Sequence, residues 1–361
     1  MNDKKALIAM SGGVDSSVAA YLMQQAGYDC AGATMLMCDN QLIGLEQESS
    51  CCSLDDVEDA RSVAFRLGMR FFVFNTTEDF RKKVVDKFVA CYEQGGTPNP
   101  CIECNRYLKF ENLLQKALAL GYEYVVTGHY ARIIQSEETG RYLVCKAADS
   151  NKDQSYFLSC LTQEQLAHIR FPLGELTKDK VRQIAEEQGF INARKRDSQD
   201  ICFIPDGDYV RFMKHYTGKD YPSGDYLNLS GQVVGRHSGA VSYTIGQRKG
   251  LGIALGEPVY VCCKDMDANT VTVGPEEALF RKTLRANDWN WFPFPALTEP
   301  IRVTAKIRYR HKEQPATVYP EADGYARVEF NEPQRAITTG QTVVLYDGDM
   351  VVGGGTITEV L

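Results

Sequence analysis

Short apolar runs alternate with segments long enough to form helices from the start of the chain to about residue 205. The predicted strands lie at 6–10, 33–37, 71–74 and 124–127, and the predicted helices at 17–26, 54–67, 78–93 and 107–120. Strands that alternate with helices are typical of a mostly parallel sheet covered on both faces. The pattern therefore predicts an α/β domain over residues 1–205.

The pattern changes after this point. Residues 206–282 are rich in glycine and contain short β-type runs at 257–262 and 270–273. The β-type runs between 283 and 361 lie at 301–310, 316–319, 326–330, 342–346 and 350–357. Asp347-Gly348 separates the last two runs and is a strong signal for a hairpin turn. We therefore expect a small β-rich connector followed by a C-terminal β-barrel.

Length and composition indicate a globular protein with more than one domain. The chain has 361 residues, more than a single hydrophobic core usually organises. Its hydrophobic content of 44% and charged content of 24% are ordinary for globular proteins. No apolar run approaches the length of a membrane span, and the N-terminal segment does not resemble a signal peptide. We therefore expect a cytoplasmic protein with no membrane partner.

The chain contains 12 cysteines, which in a reducing compartment serve as buried thiols, metal ligands or catalytic groups more often than as disulfides. A structural zinc site requires two cysteine pairs at ligand spacing. Only Cys101 and Cys104 form such a pair, so the sequence does not favour structural zinc. The adjacent pairs Cys51–Cys52 and Cys262–Cys263 are interpreted as structural thiols.

The formal net charge of −7 argues against a nucleic-acid partner, because phosphate contacts usually need an excess of lysine and arginine. Segment 301–315 departs from this balance, since Glu313 is its single acid. Its basic residues are Arg302, Lys306, Arg308, Arg310 and Lys312. Taken alone, this pattern favours a solvated strand face. The basic run at 194–196 is likewise interpreted as a solvated turn.

The heptapeptide Ser11-Gly12-Gly13-Val14-Asp15-Ser16-Ser17 follows a predicted strand and opens a predicted helix. Two glycines allow positive φ and a close approach of the backbone to an oxyanion. The N–H groups and the dipole of the next helix attract phosphate, and the serine hydroxyls add donors. Asp15 would either orient the loop or hold Mg²⁺. The alternative is a glycine-rich turn with serine caps.

This loop lacks the Gly-Lys-[Ser/Thr] ending of a Walker A sequence. SGGVDS instead resembles the PP-loop of ATP pyrophosphatases, which hold the pyrophosphate of ATP while an acceptor oxygen takes AMP. The loop therefore predicts the activation step and leaves the acceptor open.

Two cysteines far apart in the sequence are candidates for the chemistry. Cys104 ends a loop held by two prolines and precedes a helix predicted from Tyr107, so we expect the helix dipole to lower its thiol pKa. Cys202 lies between polar residues and a short apolar run. Either cysteine alone is more often a buried core thiol than a catalyst.

Together, these segments resemble the tRNA-specific 2-thiouridylase family of PP-loop ATP pyrophosphatases, and the resemblance covers essentially the whole chain. The matching blocks in the first part are SGGVDSSVAA at 11–20, TPNPCIECN at 97–105, TGHYAR at 127–132, KDQSYFL at 152–158 and SQDICFI at 198–204. Those in the second part are HSGAVSYTIGQRKGLGI at 237–253, KIRYR at 306–310 and GQTVVLYDGDMVVGGGTI at 340–357.

The resemblance implies that ATP adenylates the C2 oxygen of the wobble uridine of tRNA, with ATP and Mg²⁺ as cofactors. The residues implied to contact ATP are Ala9, Met10, Ser11, Gly12, Gly13, Val14, Asp15, Ser16, Met35 and Gly128. Those implied to meet the target base are Asn99, Pro100 and Cys101. Those implied to meet tRNA are His129, Lys152, Asp153, Gln154, Arg308, Tyr309 and Gln341. The three expected domains are a catalytic domain at 1–205, a connector at 206–282 and a tRNA-contacting barrel at 283–361.

The resemblance also implies a route for the sulfur. Cys202 would carry a persulfide received from a cysteine desulfurase or a sulfur-relay protein. Cys104 would be the nucleophile that helps to release the sulfur, leaving a transient Cys104–Cys202 disulfide. The chemistry agrees, because AMP makes the C2 oxygen a leaving group and thiol exchange releases sulfur from a persulfide. A tRNA substrate also makes the basic strand at 302–312 a candidate for backbone contacts.

Some relatives carry aspartate where this chain has Cys101. A thiol has an ordinary pKa of about 8.5 against about 3.9 for aspartate, so it cannot take over an acid or base role unchanged. Cys101, Cys104 and Cys202 could instead hold three corners of an iron–sulfur cluster, an alternative that we place second to the persulfide route.

Other interpretations are also open. The chain could be another PP-loop ligase, which would need neither Cys104 nor Cys202, or an RNA-binding module that works through its barrel. His129 could be a core histidine, and residues 152–154 could form a plain polar loop.

Overall fold

A computed structural model of the chain describes residues 4–38, 44, 54–195 and 201–361. Cys51, Cys52, Arg196 and residues 197–200 of the second cysteine segment lie outside the described residues. Within the ranges that are described, no helix is both long enough and apolar enough to cross a membrane.

The first part of the chain contains a five-stranded parallel sheet, as predicted. Its strands, with an inserted hairpin, are β1 Lys5–Ala9, β2 Asp29–Leu36, β3 Arg70–Asn75, β4 Tyr124–Val126, β5 Arg132–Gln135, β6 Tyr142–Cys145 and β7 Ile169–Arg170. The sheet has the order β3-β2-β1-β4-β7 with every pairing parallel. Chain order reverses between β1 and β4, and open parallel sheets bind their ligands at such a reversal.

The helices of this part are α1 Val14–Gln25, α2 Leu54–Arg66, α3 at 77–93, α4 at 100–119, α5 Gln163–Ala167 and α6 Lys178–Glu187. Both α3 and α4 contain a π-helical section, Arg81–Val85 and Cys104–Asn112 respectively, between two α-helical sections. The predicted helices at 17–26, 54–67 and 78–93 are confirmed, with small shifts at their ends.

Helices cover both faces of this sheet, and strand β1 is buried on both sides. Ala6 and Ile8 belong to a buried cluster that includes Val18 of α1 and Val181 of α6. Leu7 belongs to a second cluster, which includes the last section of α4. Alternate residues of a strand face opposite sides, and a strand buried on both sides reads as a continuous apolar run.

Helix α4 begins at Pro100 and not at Tyr107, so the prediction of a loop up to Asn105 is wrong. Asn99 is the N-cap residue and Pro100 the first helical residue. Proline is well suited to that position, because N–H groups of the first turn have no partner inside the helix. Cys104 therefore lies within a continuous helix and not ahead of its N-terminus.

The middle part is β-rich, as predicted, and begins with helix α7 Tyr209–Thr217. Phe212 of α7 packs in the same buried cluster as Phe80 and Phe88 of α3, which joins the helix to the first part. The strands that follow are β8 Gly224–Leu227, β9 Val233–His237, β10 Tyr260–Asp265 and β11 Thr270–Gly274, paired in the order β10-β11-β8-β9.

The C-terminal part is a barrel, which confirms the prediction. Its strands are β12 Phe280–Trp291, β13 Ile301–Lys306, β14 Gln314–Pro320, β15 Ala326–Arg335, β16 Thr342–Asp347 and β17 Met350–Val360. They follow the order β12-β15-β14-β13-β16-β17, and pairing of β12 with β17 closes the barrel. The predicted strand at 301–310 ends at Lys306, so Arg308 and Tyr309 lie beyond its end.

The barrel is attached to the first part of the chain by backbone and side-chain contacts. The β5–β6 hairpin extends the barrel sheet through the pairing of Cys145 with Met350. The side-chain amide of Asn290 donates hydrogen bonds to the carbonyl oxygens of Ser159 and Leu161, at 2.8 and 2.9 Å. An ion pair between Arg106 and Asp288 also joins helix α4, on which the cysteine pair lies, to the barrel.

Candidate active site

The phosphate loop lies at the carboxyl end of β1, where the order of the sheet reverses. Gly12 has φ +73°, and a Cβ atom built on it would lie 2.4 Å from the carbonyl oxygen of Asp56. Only glycine can therefore occupy this position without displacing the start of α2. Gly128, which follows β4, approaches the same loop, since its Cβ would lie 2.7 Å from the backbone nitrogen of Ser16.

The hydroxyl groups of two serines stabilise the loop through hydrogen bonds within it. The hydroxyls of Ser16 and Ser17 each donate to the carbonyl oxygen of Gly13, at 3.0 and 3.1 Å. The N–H of Ser11 donates to the Ser16 hydroxyl oxygen at 3.3 Å. The N–H groups of the first turn of α1 have no partner inside the helix, and such a turn attracts anions. The arrangement suits a phosphate group bound by backbone N–H donors.

Asp15 makes close contacts with two residues from distant parts of the chain. The ammonium nitrogen of Lys178 lies 2.7 and 2.8 Å from its two carboxylate oxygens. The hydroxyl of Tyr130 donates to one of those oxygens at 2.8 Å. Of the two roles predicted for Asp15, these contacts favour orientation of the loop.

Asn192, which the sequence analysis missed, and Lys195 support the phosphate loop through further contacts. The side-chain nitrogen of Asn192 donates to the carbonyl oxygen of Gly12 and to the hydroxyl oxygen of Ser17, both at 2.9 Å. The ammonium of Lys195 pairs with Asp56 and Asp59 of α2, each at 2.6 Å. The interpretation of 194–196 as a solvated turn is therefore wrong for Lys195.

The remaining residues implied to contact ATP lie around this loop. Ala9 ends β1, and the N–H of Met10 donates to the Ala33 carbonyl oxygen at 2.8 Å, which ties the loop to β2. Met35 lies near the end of β2 and is buried in the cluster that contains Leu7. The structure thus brings the predicted ATP residues together at the point where the sheet order reverses.

Cys104 and Cys202 both contact one hydrophobic cluster. Cys104 is buried in this cluster and Cys202 is packed against it. The thiol of Cys104 lies 3.7 Å from the sulfur of Met37. Neither of these two cysteines forms a disulfide in this structure. Phe203, next to Cys202, is buried between Phe80 and Phe88 with edge-on ring contacts, and so fixes the cysteine segment against α3.

Cys101 lies in the first turn of α4 and is exposed. The surrounding protein, and secondarily the charge of the Cys202 thiolate, raise the pKa of the Cys101 thiol to about 11. Cys101 and Cys202 therefore lie within electrostatic reach of each other. In the described part of the chain, no group of three or more histidine, cysteine or acidic side chains is arranged to hold a metal ion.

The loop that precedes Cys101 is fixed by contacts with the barrel and with the 155–158 segment. The side-chain amide of Gln341 donates to the carbonyl oxygens of Thr97 and Pro98, at 2.9 and 3.2 Å. The side chain of Asn99 lies beside the buried hydroxyl of Tyr156, which donates to the carbonyl oxygen of Thr342 at 2.8 Å. These contacts hold the residues implied to meet the target base.

Several residues implied to meet tRNA also make internal contacts. Asp153 is buried and accepts hydrogen bonds from the N–H of Ala147 and the hydroxyl of Ser155. Gln154 accepts from the N–H of Tyr130 at 3.0 Å, and Lys152 beside it is half-buried. These contacts give the 152–154 segment a structural role next to the phosphate loop.

Two more of these residues lie at the barrel surface. Tyr309 donates to the Asp153 carbonyl oxygen at 3.1 Å and its ring contacts that of Phe157. Arg308 donates to the carbonyl oxygens of Arg335 and Ala336, and burial together with the charge of Arg335 lowers its pKa. Tyr309 and Arg308 are therefore only partly available to a partner.

His129 is buried, in contact with the rings of Phe110 and Phe171. Its Nδ1 lies 2.7 Å from the Thr127 hydroxyl oxygen. Burial, with a smaller contribution from the charge of Lys109, holds its pKa well below the usual range, so the ring is neutral. This environment agrees with the interpretation of His129 as a core histidine.

Three family models match consecutive parts of the chain. Residues 4–206 match "tRNA methyl transferase HUP domain", residues 210–275 match "tRNA methyl transferase PRC-barrel domain", and residues 281–357 match "Aminomethyltransferase beta-barrel domain".

Full-length relatives carry a more specific name. A protein of Clostridium acetobutylicum described as "tRNA-specific 2-thiouridylase MnmA" is 51% identical over 355 residues, covering 98% of this chain and 99% of the relative. Proteins with the same description are 49% identical in Clostridioides difficile, with 99% of each chain covered, and 51% identical in Symbiobacterium thermophilum, with 98% and 92% covered. The similarity therefore extends over all three parts of the fold.

Proposed function

Because this chain belongs to the tRNA-specific 2-thiouridylase family, we propose that it is a tRNA-uridine 2-sulfurtransferase. In this proposal the enzyme uses ATP to activate the C2 oxygen of the wobble uridine and then replaces that oxygen with sulfur. The single observation that carries the proposal is that Cys104 and Cys202, far apart in the sequence, contact the same hydrophobic cluster.

The first step is adenylation. The uridine O2 attacks the α-phosphorus of ATP, the bond to the bridging oxygen breaks and pyrophosphate leaves, while N3 of the uridine loses its proton. The N–H groups at the start of α1 would hold the departing pyrophosphate, as the first turn of a helix binds anions. The loop contacts with Lys178 and Asn192 support this step, because they keep those donors in place.

Magnesium would accompany ATP and neutralise charge on its phosphates when bound. Mg²⁺ sites usually take one or two carboxylates together with substrate phosphates. Each of the three carboxylates described beside the loop is paired with a lysine, Asp15 with Lys178 and both Asp56 and Asp59 with Lys195. These residues do not fit a metal held by the protein.

The second step transfers sulfur. The terminal sulfur of a persulfide on Cys202 adds to C2, and the bond between C2 and the oxygen of AMP breaks. A thiolate at Cys104 then attacks the Cys202 sulfur, and the persulfide S–S bond breaks with its electron pair left on the sulfur at C2. A proton returns to N3 as the thiocarbonyl forms. The product is 2-thiouridine, and a two-electron reductant must reduce the Cys104–Cys202 disulfide before the next turnover.

Sulfur transfer is favoured over methyl transfer, although two of the family descriptions mention methyl transfer. Relatives that match the whole chain at 49–51% identity are named for 2-thiouridine formation. Methyl transfer would not require two thiols in contact with one cluster. The persulfide route also fits better than an iron–sulfur cluster, since Cys101, Cys104 and Cys202 do not form a metal-binding group in the described residues.

The proposed partners are tRNA and a cysteine desulfurase or sulfur-relay protein, in the cytoplasm. We assign ATP binding and catalysis to residues 1–205, a connector to 206–282 and tRNA contact to the barrel at 283–361. Arg302, Arg310 and Lys312 are exposed on the barrel and could reach phosphates.

One assay tests the function. The protein is incubated with ATP, Mg²⁺, sulfide and unmodified tRNA, and the nucleosides are analysed by mass spectrometry. We expect 2-thiouridine that depends on ATP. ATP turnover with nitrogen incorporation would instead identify a PP-loop ligase, and tRNA binding without turnover would identify a binding module.

A further inference from the structure

One segment of the chain, residues 177–195, contacts the phosphate site at three points. We name it the brace; it comprises helix α6 and the turns that follow it. Lys178 contacts Asp15, Asn192 contacts Gly12, and Lys195 contacts α2 through Asp56. The sequence motifs include none of the three brace residues. Two of them contact the phosphate loop, and the third contacts helix α2 beside the loop.

Lys178 occupies an electrostatically unfavourable position unless it has a partner. It is the first residue of α6, after the N-cap Thr177, where the helix dipole disfavours a positive charge. Its side chain is only 8% exposed, against 30% for that of Asp15. A buried ammonium needs an acceptor of opposite charge, and both carboxylate oxygens of Asp15 provide it.

The side-chain amide nitrogen of Asn192 makes two hydrogen bonds to the phosphate loop. That nitrogen is bonded to the Gly12 carbonyl oxygen and to Ser17 of the loop. The amide oxygen is buried and has no partner among the described residues, which costs free energy. The bonds of the amide nitrogen offset this free-energy cost, which is consistent with a role for Asn192 in fixing the backbone conformation of the loop.

Lys195 completes the brace from the other side. Its pairs with Asp56 and Asp59 hold the first turn of α2, whose Asp56 backbone lies against Gly12. The loop is therefore enclosed between α1, the brace and the start of α2.

We propose that Lys178 is a positioning residue for ATP binding: it acts through Asp15, which anchors the phosphate loop and does not serve as a magnesium ligand. The proposal rests on the proposed function, since it concerns the ATP site of that reaction. It assigns the aspartate of the SGGVDS motif to loop geometry, because its two oxygens are taken by Lys178 and one also by Tyr130.

Equilibrium binding of a fluorescent ATP analogue tests the proposal, measured once with Mg²⁺ and once with EDTA. Lys178→Met should raise the dissociation constant tenfold or more, by the same factor in both conditions. Lys178→Arg should recover part of the affinity, because arginine can also pair with both carboxylate oxygens. The matched control is Lys180→Met, on the same helix and exposed, which should bind like wild type.

A double-mutant cycle shows whether Lys178 acts through Asp15. Asp15→Asn and Lys178→Met should each weaken binding, and the double variant should be no weaker than Lys178→Met alone. Independent effects that multiply would overturn the proposal. Thermal melting of each variant identifies loss of folding, and a variant that does not fold is replaced by Asn192→Ser, for which we expect weaker ATP binding at unchanged tRNA affinity.

Two other results would contradict the proposal. Loss of affinity in Asp15→Asn with Mg²⁺ but not with EDTA would make Asp15 a magnesium ligand. Wild-type affinity in both Lys178→Met and Asn192→Ser would mean that the brace does not position the loop. If wild type itself binds no ATP analogue, the proposed function fails and not merely this inference.

Discussion

The side-chain amide of Gln341 in the barrel donates a hydrogen bond to the carbonyl oxygen of Thr97, 2.9 Å away. Thr97 in turn donates its N–H to the Thr339 carbonyl oxygen at 2.8 Å. The barrel thereby holds the chain just before Cys101 and Cys104, so a part of the protein far along the sequence helps to build the candidate active site.

Replacement of Gln341 with leucine should loosen this loop. The two hydrogen bonds it removes each contribute roughly 0.5–1.5 kcal/mol. We expect thiolation to slow several-fold while ATP binding is unchanged, because the side-chain hydrogen bonds described for Gln341 go to Thr97 and Pro98 and not to the phosphate loop. Thiolation kinetics and ATP-analogue binding measure the two effects. Gln135→Leu, which removes a comparable bond in the exposed β5–β6 hairpin, is the control and should leave both values unchanged.

The thiol of Cys101 should react slowly with alkylating reagents at neutral pH. Its pKa is raised to about 11, so the reactive thiolate forms only as the pH approaches that value. Peptide mass spectrometry after timed iodoacetamide treatment at pH 7 to pH 11 measures the rate. We expect the rate to rise steadily over this range. A rate that is half-maximal near pH 8.5, as in an unfolded cysteine peptide with a pKa of about 8.5, would show that the surrounding protein does not stabilise the neutral thiol.

Arg308→Ala should weaken tRNA binding and lower the salt dependence of its affinity by about one phosphate contact. The exposed Arg310 provides a comparison, since Arg308 is partly occupied by backbone carbonyl oxygens. Filter binding at several salt concentrations measures both slopes. If only Arg310→Ala changes the slope, Arg308 has a structural role and the prediction for it is wrong.

Phe203→Ala should destabilise the protein, because Phe203 is 1% exposed and packs between Phe80 and Phe88. Truncation of a buried phenylalanine usually costs about 3–5 kcal/mol. Denaturant unfolding measures the loss, and Phe65→Ala, at an exposed position on α2, is the control. A cost below about 1 kcal/mol would mean that Phe203 does not hold the Cys202 segment in place.

Features that depend on residues adjacent in the sequence could be predicted, whereas contacts between residues distant in the sequence could not. The phosphate loop was predictable because Gly12 and Gly13 lie between a strand and a helix, a local arrangement. The start of α4 was mispredicted because Pro98 and Pro100 look alike in sequence, yet only Pro100 occupies the first helical position, which proline favours.

Lys178 and Asn192 carried no local signal. Lys178 looks like an ordinary charged residue of an amphipathic helix, and its pairing with Asp15 depends on how α6 packs against α1. The burial of His129 could not be predicted either, because the rings of Phe110 and Phe171 that contact it come from other parts of the chain. Strand β12 was missed because charged and polar residues dominate its sequence.

The most direct test of the central claim is a single turnover from labelled protein. Cys202 is loaded with radioactive sulfur by a cysteine desulfurase and labelled cysteine, the protein is freed of donor, and ATP with unmodified tRNA is added. We expect at most one labelled 2-thiouridine per loaded protein, dependent on ATP, with a Cys104–Cys202 disulfide formed in the same proportion. The Cys202→Ser variant should bind ATP and tRNA as wild type does and transfer nothing. Labelled 2-thiouridine from Cys202→Ser, or loaded wild-type protein that keeps its label in the presence of ATP and tRNA, would contradict the account.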